Sequence, residues 1–308
     1  MSTEIKTNYE LKQHSTFKIG GLAEKVYFPS TKEDLIEILK ENPNVLVLGN
    51  CSNALISTAG IEEDVVITTK INEFEFSGNR VTVNCGAKGP VLSKEAEKLS
   101  LSGFEFMIGF PGSFGGMVAM NASAHNQAVS DCFVECSVFN LGTKTVTKLT
   151  KTDMDFDYRK SIIASGKYIL LDATFELTPC EQEKIEELMQ RNLEFRRLRQ
   201  PSLKLPNVGS IFRNPDHDSA GRLLDLAGAK SLSSGDARVW ENHANFIINT
   251  QSATSNDVLN LMLNMYNIVK DKYTVELKSE IKFIGIKNAE EEKIWQILSG
   301  KNTPMKQK

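Results

Sequence analysis

The chain has 308 residues, 41% of them hydrophobic and 24% charged, with a formal net charge of −3 and a pI near 5.9. This is the balance of an ordinary globular protein large enough for two or three domains, and it gives no electrostatic footing for nucleic acid or an anionic membrane. The polar, mixed-charge start Met1-Ser2-Thr3-Glu4-Ile5-Lys6 and the lack of any long apolar run argue against secretion and membrane spanning.

In chain order, Thr31 to Leu39 reads as a helix, with Thr31 as its cap and Leu35, Ile36, Ile38 and Leu39 at helical spacing. Short β-type runs follow at Val45–Leu48, Val65–Thr68 and Val81–Asn84, then a helix at Ser93–Leu99. Val134–Asn140, Thr145–Leu149 and Tyr168–Leu177 read as strands rich in β-branched and aromatic residues. The first half is therefore α+β. A charged helical stretch, Glu181 to Arg199, ends in the basic run Arg196-Arg197-Leu198-Arg199 before Pro201, and a domain boundary is placed there. Beyond it come a helix near Ala220–Ala229 and a strand at Asn245–Asn249. A longer helix at Ser255–Lys272, with Ser255 as N-cap, precedes a strand at Val275–Ile284. The expected division is 1–198, in subdomains of about 1–80 and 81–198, then 199–286, then an appended charged tail at 287–308 that reads as a helix.

Five scattered cysteines (Cys51, Cys85, Cys132, Cys136, Cys180) read as buried thiols of a reducing cytoplasm. Cys132 and Cys136 meet no second Cys or His pair, and His14, His125, His217 and His243 lack metal-ligand spacing, so no metal site is expected.

Two glycine-bearing turns stand out. Gly109-Phe110-Pro111-Gly112-Ser113-Phe114-Gly115-Gly116 packs four glycines and a proline into eight residues and runs into Met120-Asn121-Ala122. Glycine tolerates φ > 0 and lets a ligand approach the backbone, and successive N–H groups in such a turn make an anion-binding concavity. The other, Gly49-Asn50-Cys51-Ser52-Asn53, follows the apolar run Val45–Leu48. Two such turns suit a ligand with two phosphates. Three polar segments accompany them: Phe156-Asp157-Tyr158-Arg159-Lys160-Ser161, Gly209-Ser210-Ile211-Phe212-Arg213-Asn214-Pro215, and Ser279-Glu280-Ile281-Lys282.

Together with Ala220-Gly221-Arg222-Leu223-Leu224-Asp225 and His243-Ala244-Asn245-Phe246-Ile247-Ile248-Asn249, these segments resemble the UDP-N-acetylenolpyruvoylglucosamine reductases, flavoenzymes of peptidoglycan synthesis. The resemblance runs from His14 to Gly285 and keeps the order of the family's G-N-x-S-N, G-x-P-G-[ST]-x-G-G, Y-R-x-S and G-S-x-F-[KR]-N-P motifs. It implies an FAD-binding domain of the vanillyl-alcohol-oxidase type in two α+β subdomains, followed by a smaller α+β substrate domain. It also implies non-covalent FAD contacted by Gly49, Asn50, Cys51, Ser52, Asn53, Gly109, Pro111, Gly112, Ser113, Gly115, Gly116 and Asn121. NADPH is the implied hydride donor and a sugar nucleotide the substrate, with no obligate protein partner.

Hydride addition to the enol ether leaves negative charge spreading into the substrate carboxylate. Arg159 offers a planar fork for that carboxylate. Ser210 is the candidate proton donor to the α-carbon, and Glu280 helps either as a protonated donor or as a partner of Arg159. For the diphosphate and uridine the resemblance points to Asn214, Lys230 and His243, with Lys204 as a further contact. Two departures stand in the loops. Cys51 takes the place of the family's usual glycine, and Ala122-Ser123-Ala124-His125-Asn126 replaces a common A-G-A-Y-G. Between Arg159 and Ser210 the sole tyrosine is Tyr168, which fits the shorter subtype lacking a tyrosine-bearing insertion. Competing readings are an FAD-linked oxidase or dehydrogenase acting on another substrate, and a catalytically silent flavin-binding homologue.

Overall fold

The structure, a computed structural model, describes residues 3–300. The elements of the first third are β1 (Glu4–Glu10), β2 (Leu22–Phe28), α1 (Lys32–Glu41), β3 (Leu46–Leu48), β4 (Ala54–Ile56), β5 (Val65–Ile67), β6 (Phe74–Ser77), β7 (Arg80–Asn84) and α2 (Gly89–Lys98). Then come β8 (Leu101–Ser102), α3 (Phe114–Ala119), β9 (Ser123–Ala124), β10 (Gln127–Ala128), α4 (Val129–Cys132), β11 (Phe133–Asn140), β12 (Thr145–Thr150), β13 (Tyr168–Glu176), β14 (Thr178–Pro179) and α5 (Gln182–Arg199). The last part holds α6 (Ala220–Ala227), β15 (Ser233–Ser234), β16 (Ala237–Val239), β17 (Ile247–Asn249), α7 (Ser255–Tyr273), β18 (Lys282–Ile284) and α8 (Ala289–Ser299).

The chain forms two compact units that do not follow chain order. Unit 1 takes the chain up to Thr7, Lys25–Asn50 and Glu63–Leu198; unit 2 takes Asn8–Glu24, Cys51–Glu62 and the chain from Arg199 on. In unit 1 the strand order β1-β2-β5-β3 makes one sheet, with β5 parallel to both β2 and β3. Val65, Val66 and Ile67 of β5 are fully buried, which is why this run is apolar without alternation. Helix α1 lays Leu35, Ile38 and Leu39 onto a core with Val45, Val66 and Leu171, and the Thr31 side chain accepts the Asp34 N–H at its start. The second sheet, β12-β11-β13-β7-β6, is antiparallel. Phe104, Phe114 and Phe133 all meet Phe175 edge-on, with ring centroids 5.2–5.5 Å apart.

Unit 2 is built on α6, α7 and α8, the sheet β15-β16-β17 and the parallel pair β4–β18. Its core gathers Phe17, Ile19 and Leu55 with Leu223, Leu261, Met262, Met265, Val269, Phe283, Ile294 and Leu298.

Three elements differ from the sequence reading. Helix α7 is capped by Thr254, in a reciprocal box with Asp257. Ser255 is buried instead, accepting the Thr58 N–H and donating to Glu291 Oε1 at 2.8 Å. The expected strand at Val275–Ile284 is regular only over Lys282–Ile284, with an isolated bridge Phe212↔Ser279 before it. Within the expected tail, α8 packs into unit 2: Ile294 and Leu298 are buried, and Asn288 caps the helix in a box with Glu291. No helix among the described residues is long and apolar enough to cross a membrane.

Candidate active site

In unit 1 the two glycine turns meet. The backbone N–H of Asn50 donates to Ser113 Oγ at 3.3 Å and its side-chain amide donates to the Pro111 carbonyl. A Cβ on Gly49 would lie 1.9 Å from Ser113 Oγ, so the close approach of the loops requires glycine there. Gly115 donates to the Cys85 carbonyl at 2.7 Å, which fixes the far side of the loop. Pro111 and Gly112 are half-buried, Gly109 is buried and Gly116 is exposed.

Asn121 ties the Arg159 turn to the start of α4. It is buried with φ 41°, its amide donates to the Asp157 carbonyl at 3.1 Å, and its side-chain oxygen accepts the Ser130 N–H at 3.0 Å. Asp157 and Lys160 close a turn through paired backbone bonds, and Ser161 Oγ donates to the Ala119 carbonyl at 2.9 Å. Arg159 sits in that turn with φ 55°, a left-handed conformation that a side chain rarely adopts. Its Nη1 donates to Ser123 Oγ at 2.6 Å, and its guanidinium carbon lies 4.9 Å from the Tyr158 ring centre.

In unit 2, Ser210 and Glu280 are mounted on neighbouring backbones. Ser210 bridges to Phe246, Ile211 N–H donates to the Asn245 carbonyl at 2.9 Å, and Glu280 N–H donates to the Ile211 carbonyl at 2.8 Å. The Asn245 side chain closes both sides of Phe212, accepting its N–H and donating to its carbonyl. Gly209 enters at φ 80°, with its N–H on Asn207 Oδ1. Asn53 belongs here too: its amide donates to the Glu280 carbonyl at 3.2 Å, and its own carbonyl accepts the Lys282 N–H at 3.0 Å. Cys51 and Ser52 precede it in the same turn. Cys51 has φ 50°, the left-handed geometry for which glycine is usual, and burial pushes its thiol up to about 12. A thiol so held stays protonated near neutrality and is a poor nucleophile.

Asn214 is exposed and its side-chain oxygen accepts the Ala220 N–H at the start of α6. Lys230 pairs with Asp225 at 2.9 Å. His243 is half-buried, and its Nδ1 accepts the Asn245 N–H at 3.1 Å, so the neutral ring carries its proton on Nε2. Burial holds His243 below its usual range, with the Lys230 charge adding to the effect. A Cβ on Gly221 would lie 2.6 Å from His243 Cε1, so α6 and the ring also meet at a glycine. Lys204 sits in an exposed turn whose bonds are internal, Leu205 N–H to the Ser202 carbonyl and Lys204 N–H to Ser202 Oγ.

Two residues of consequence were not singled out from sequence. Ser123 touches Arg159 across 36 positions, a contact no local pattern signals. Arg196 lays its side chain along Gly109, where a Cβ would lie 2.7 Å from Arg196 Cδ. Arg196 is a cation beside the glycine loop, although burial lowers its pKa from the usual arginine value; its basic segment was legible only as a helix end.

These features fit FAD. Gly49, Asn50, Gly109 and the Pro111–Ser113 stretch bring bare backbone from two loops together, and Arg196 supplies positive charge next to a loop suited to a diphosphate. Among the described residues no cluster of His, Cys, Asp and Glu is arranged to hold a metal ion.

Comparison with known proteins agrees. Residues 23–150 match the model of an FAD binding domain, and residues 200–284 match that of the UDP-N-acetylenolpyruvoylglucosamine reductase C-terminal domain. The chain is 39% identical to the UDP-N-acetylenolpyruvoylglucosamine reductase of Caldicellulosiruptor bescii over 92% of this chain and 91% of that one. It is 37% identical to the enzyme of that name from Enterococcus faecalis over 89% and 92%. The crystal structure of UDP-N-acetylenolpyruvylglucosamine reductase from Thermus caldophilus superimposes with a TM-score of 0.78 at 30% identity, covering 92% of this chain and 99% of that one. Similarity at this level, running almost end to end through both the glycine turns and the Ser210 and Glu280 segments, makes the chain a member of the UDP-N-acetylenolpyruvoylglucosamine reductase family.

Proposed function

We propose that this chain reduces UDP-N-acetylglucosamine enolpyruvate to UDP-N-acetylmuramate with NADPH and non-covalent FAD, and that Arg159, Ser210 and Glu280 act on the reacting enol ether. The observation that supports pairing Ser210 with Glu280 is the backbone register in unit 2, where Ser210 adjoins the bond from Glu280 N–H to the Ile211 carbonyl; Arg159 rests on the Y-R-x-S resemblance. Bound FAD supplies the chemistry that accepts hydride from NADPH and delivers it to the β-carbon.

The chain's own residues then manage charge and one proton. Arg159 binds the substrate carboxylate through the edges of its fork and stabilises the charge that develops there. Ser210 Oγ–H gives its proton to the α-carbon, and Glu280 supports that transfer from the neighbouring backbone. Lys230 and His243 bind the diphosphate and uridine end, His243 as a neutral Nε2–H donor; Asn214 and Lys204 complete that contact. The buried, protonated Cys51 supports a flavin held without a covalent bond. Five cysteine thiols suit a reducing cytoplasm.

The deciding experiment is NADPH consumption by the purified yellow protein. Oxidation of NADPH that requires the enolpyruvyl substrate, with flavin released into the supernatant on acid precipitation, is the expected result. NADPH oxidation indifferent to that substrate favours an oxidase or dehydrogenase of another specificity.

A further inference from the structure

The Arg159 turn is held at three points by its own unit. Asn121 grips its backbone at the Asp157 carbonyl, Ser161 ties its exit to the Ala119 carbonyl, and Tyr158 lies against the guanidinium. Ser123 reaches the charged head by hydrogen bond, with Oγ 2.6 Å from Nη1. Ser123 is not on a loose loop. It pairs with Ala128 in the hairpin β9–β10, whose tip residues His125 and Asn126 both take left-handed conformations, φ 53° and 62°. Two such residues make the type I′ turn whose twist matches a tight hairpin. His125 at the tip meets Phe195 of α5 edge-on, with ring centres 5.2 Å apart. The hairpin is thus braced at its pairing and at its tip, and it presents the hydroxyl at a fixed place.

We propose that Ser123 is a positioning residue for Arg159: its hydroxyl accepts one Nη1–H and orients the guanidinium before the substrate carboxylate arrives. The inference rests on the assignment of Arg159 to that carboxylate. An arginine side chain has many rotamers, and fixing one beforehand removes the ordering cost from the binding and reaction steps.

The test follows the two half-reactions by stopped-flow flavin absorbance in Ser123→Ala, Ser123→Thr, Arg159→Ala and the double variant Ser123→Ala/Arg159→Ala. Ser123→Ala is expected to slow flavin reoxidation by the enolpyruvyl substrate about ten-fold, since a misplacement of about an ångström costs up to roughly a hundred-fold, while reduction by NADPH stays within about two-fold of the parent. Ser123→Thr keeps the hydroxyl and is expected to recover most of the rate. In the Arg159→Ala background, Ser123→Ala is expected to add nothing, because the group it orients is gone. The inference falls if Ser123→Ala slows both half-reactions alike, leaves reoxidation unchanged, or multiplies the Arg159→Ala defect by its full single-variant factor. If Arg159→Ala itself reoxidises at the parent rate, the assignment of Arg159 falls first and the inference with it. A slow Arg159→Ala beside a normal Ser123→Ala removes the inference alone.

Discussion

The two units carry their candidate site residues by opposite means. In unit 1, Arg159 sits in a left-handed turn held by side chains: Asn121 and Ser123 reach in from elsewhere, and Ser161 at the turn's exit reaches out to Ala119. In unit 2, Ser210 and Glu280 sit on backbones that pair with each other and with Phe246 and Asn245, and their side chains take no part in the pairing bonds. A position held by main-chain bonds tolerates side-chain change in its fold and expresses the change in its chemistry. A position held by side chains loses both when a tie is cut.

The largest expected effect is on the unit 2 side. Ser210→Ala leaves the backbone ladder intact, so thermal stability should match the parent. Loss of a positioned acid should slow flavin reoxidation by the enolpyruvyl substrate by roughly 10²–10⁴-fold, with reduction by NADPH nearly unchanged. Equal slowing of both half-reactions would assign the residue a structural role. Next comes Glu280. Glu280→Asp draws the carboxyl back by about an ångström and should cost on the order of 10²-fold in reoxidation. Glu280→Gln keeps a donor of the same reach and should be the milder change. A glutamine variant no better than Glu280→Ala, at unchanged stability, rejects the protonated-donor role and favours Glu280 as a charged partner.

Asn121→Ala is the matching break in unit 1. It removes two hydrogen bonds of a buried amide and leaves the Asp157 carbonyl and the Ser130 N–H to find other partners, a loss of about 1–3 kcal/mol. Denaturant unfolding should show that loss, and reoxidation should slow with it because the Arg159 turn loosens. Full stability in Asn121→Ala would place the hold on the turn elsewhere.

The smallest effect is a pH dependence of stability in unit 2. Burial holds His243 below its usual value of 6.5, so the unfolded chain takes up the proton first as pH falls. Stability should be unaffected by this group above that value and should decline as pH drops below it toward the lowered native pKa. Melting temperatures at pH 7.5 and 5.5 should diverge less in His243→Gln than in the parent. An equal divergence would assign the acid sensitivity to other groups, His125 among them, which burial and Arg191 also hold low.

The sequence made some of this architecture readable and hid the rest for identifiable reasons. Helix α1 is visible because its apolar spacing and its Thr31 cap agree. Strand β1 is hard to see because nearly every residue in Glu4–Glu10 is exposed, so no alternation marks it. The cap of α7 is ambiguous on paper, since Thr254 and Ser255 are both good caps; the choice is made by Ser255's bonds to Thr58 and Glu291, far away in sequence. The α8 stripe Ile294 and Leu298 is masked by Glu290-Glu291-Glu292-Lys293. At the site, the glycine turns are legible because close backbone approach restricts residue choice; their own glycines keep negative or extended φ, and the left-handed positions beside them fall to Cys51 and Asn121. The meeting of Gly49 with Ser113, of Gly221 with His243 and of Arg159 with Ser123 joins distant positions, and only the folded chain brings them together.

The composition of unit 2 has a consequence for the order in which the polypeptide acquires structure on the ribosome. Every segment of unit 1 lies before Arg199, so its two sheets can complete while synthesis continues. Unit 2 must keep Asn8–Glu24 and Cys51–Glu62 waiting for Phe283, Ile294 and Leu298 before its core can close. Contacts of such long sequence separation form late and slowly. The nascent chain therefore passes through a stage in which the early segments carrying Phe17, Ile19 and Leu55 have no core to enter. That interval, rather than any weakness of the finished fold, is where a chaperone would be needed and where aggregation would begin.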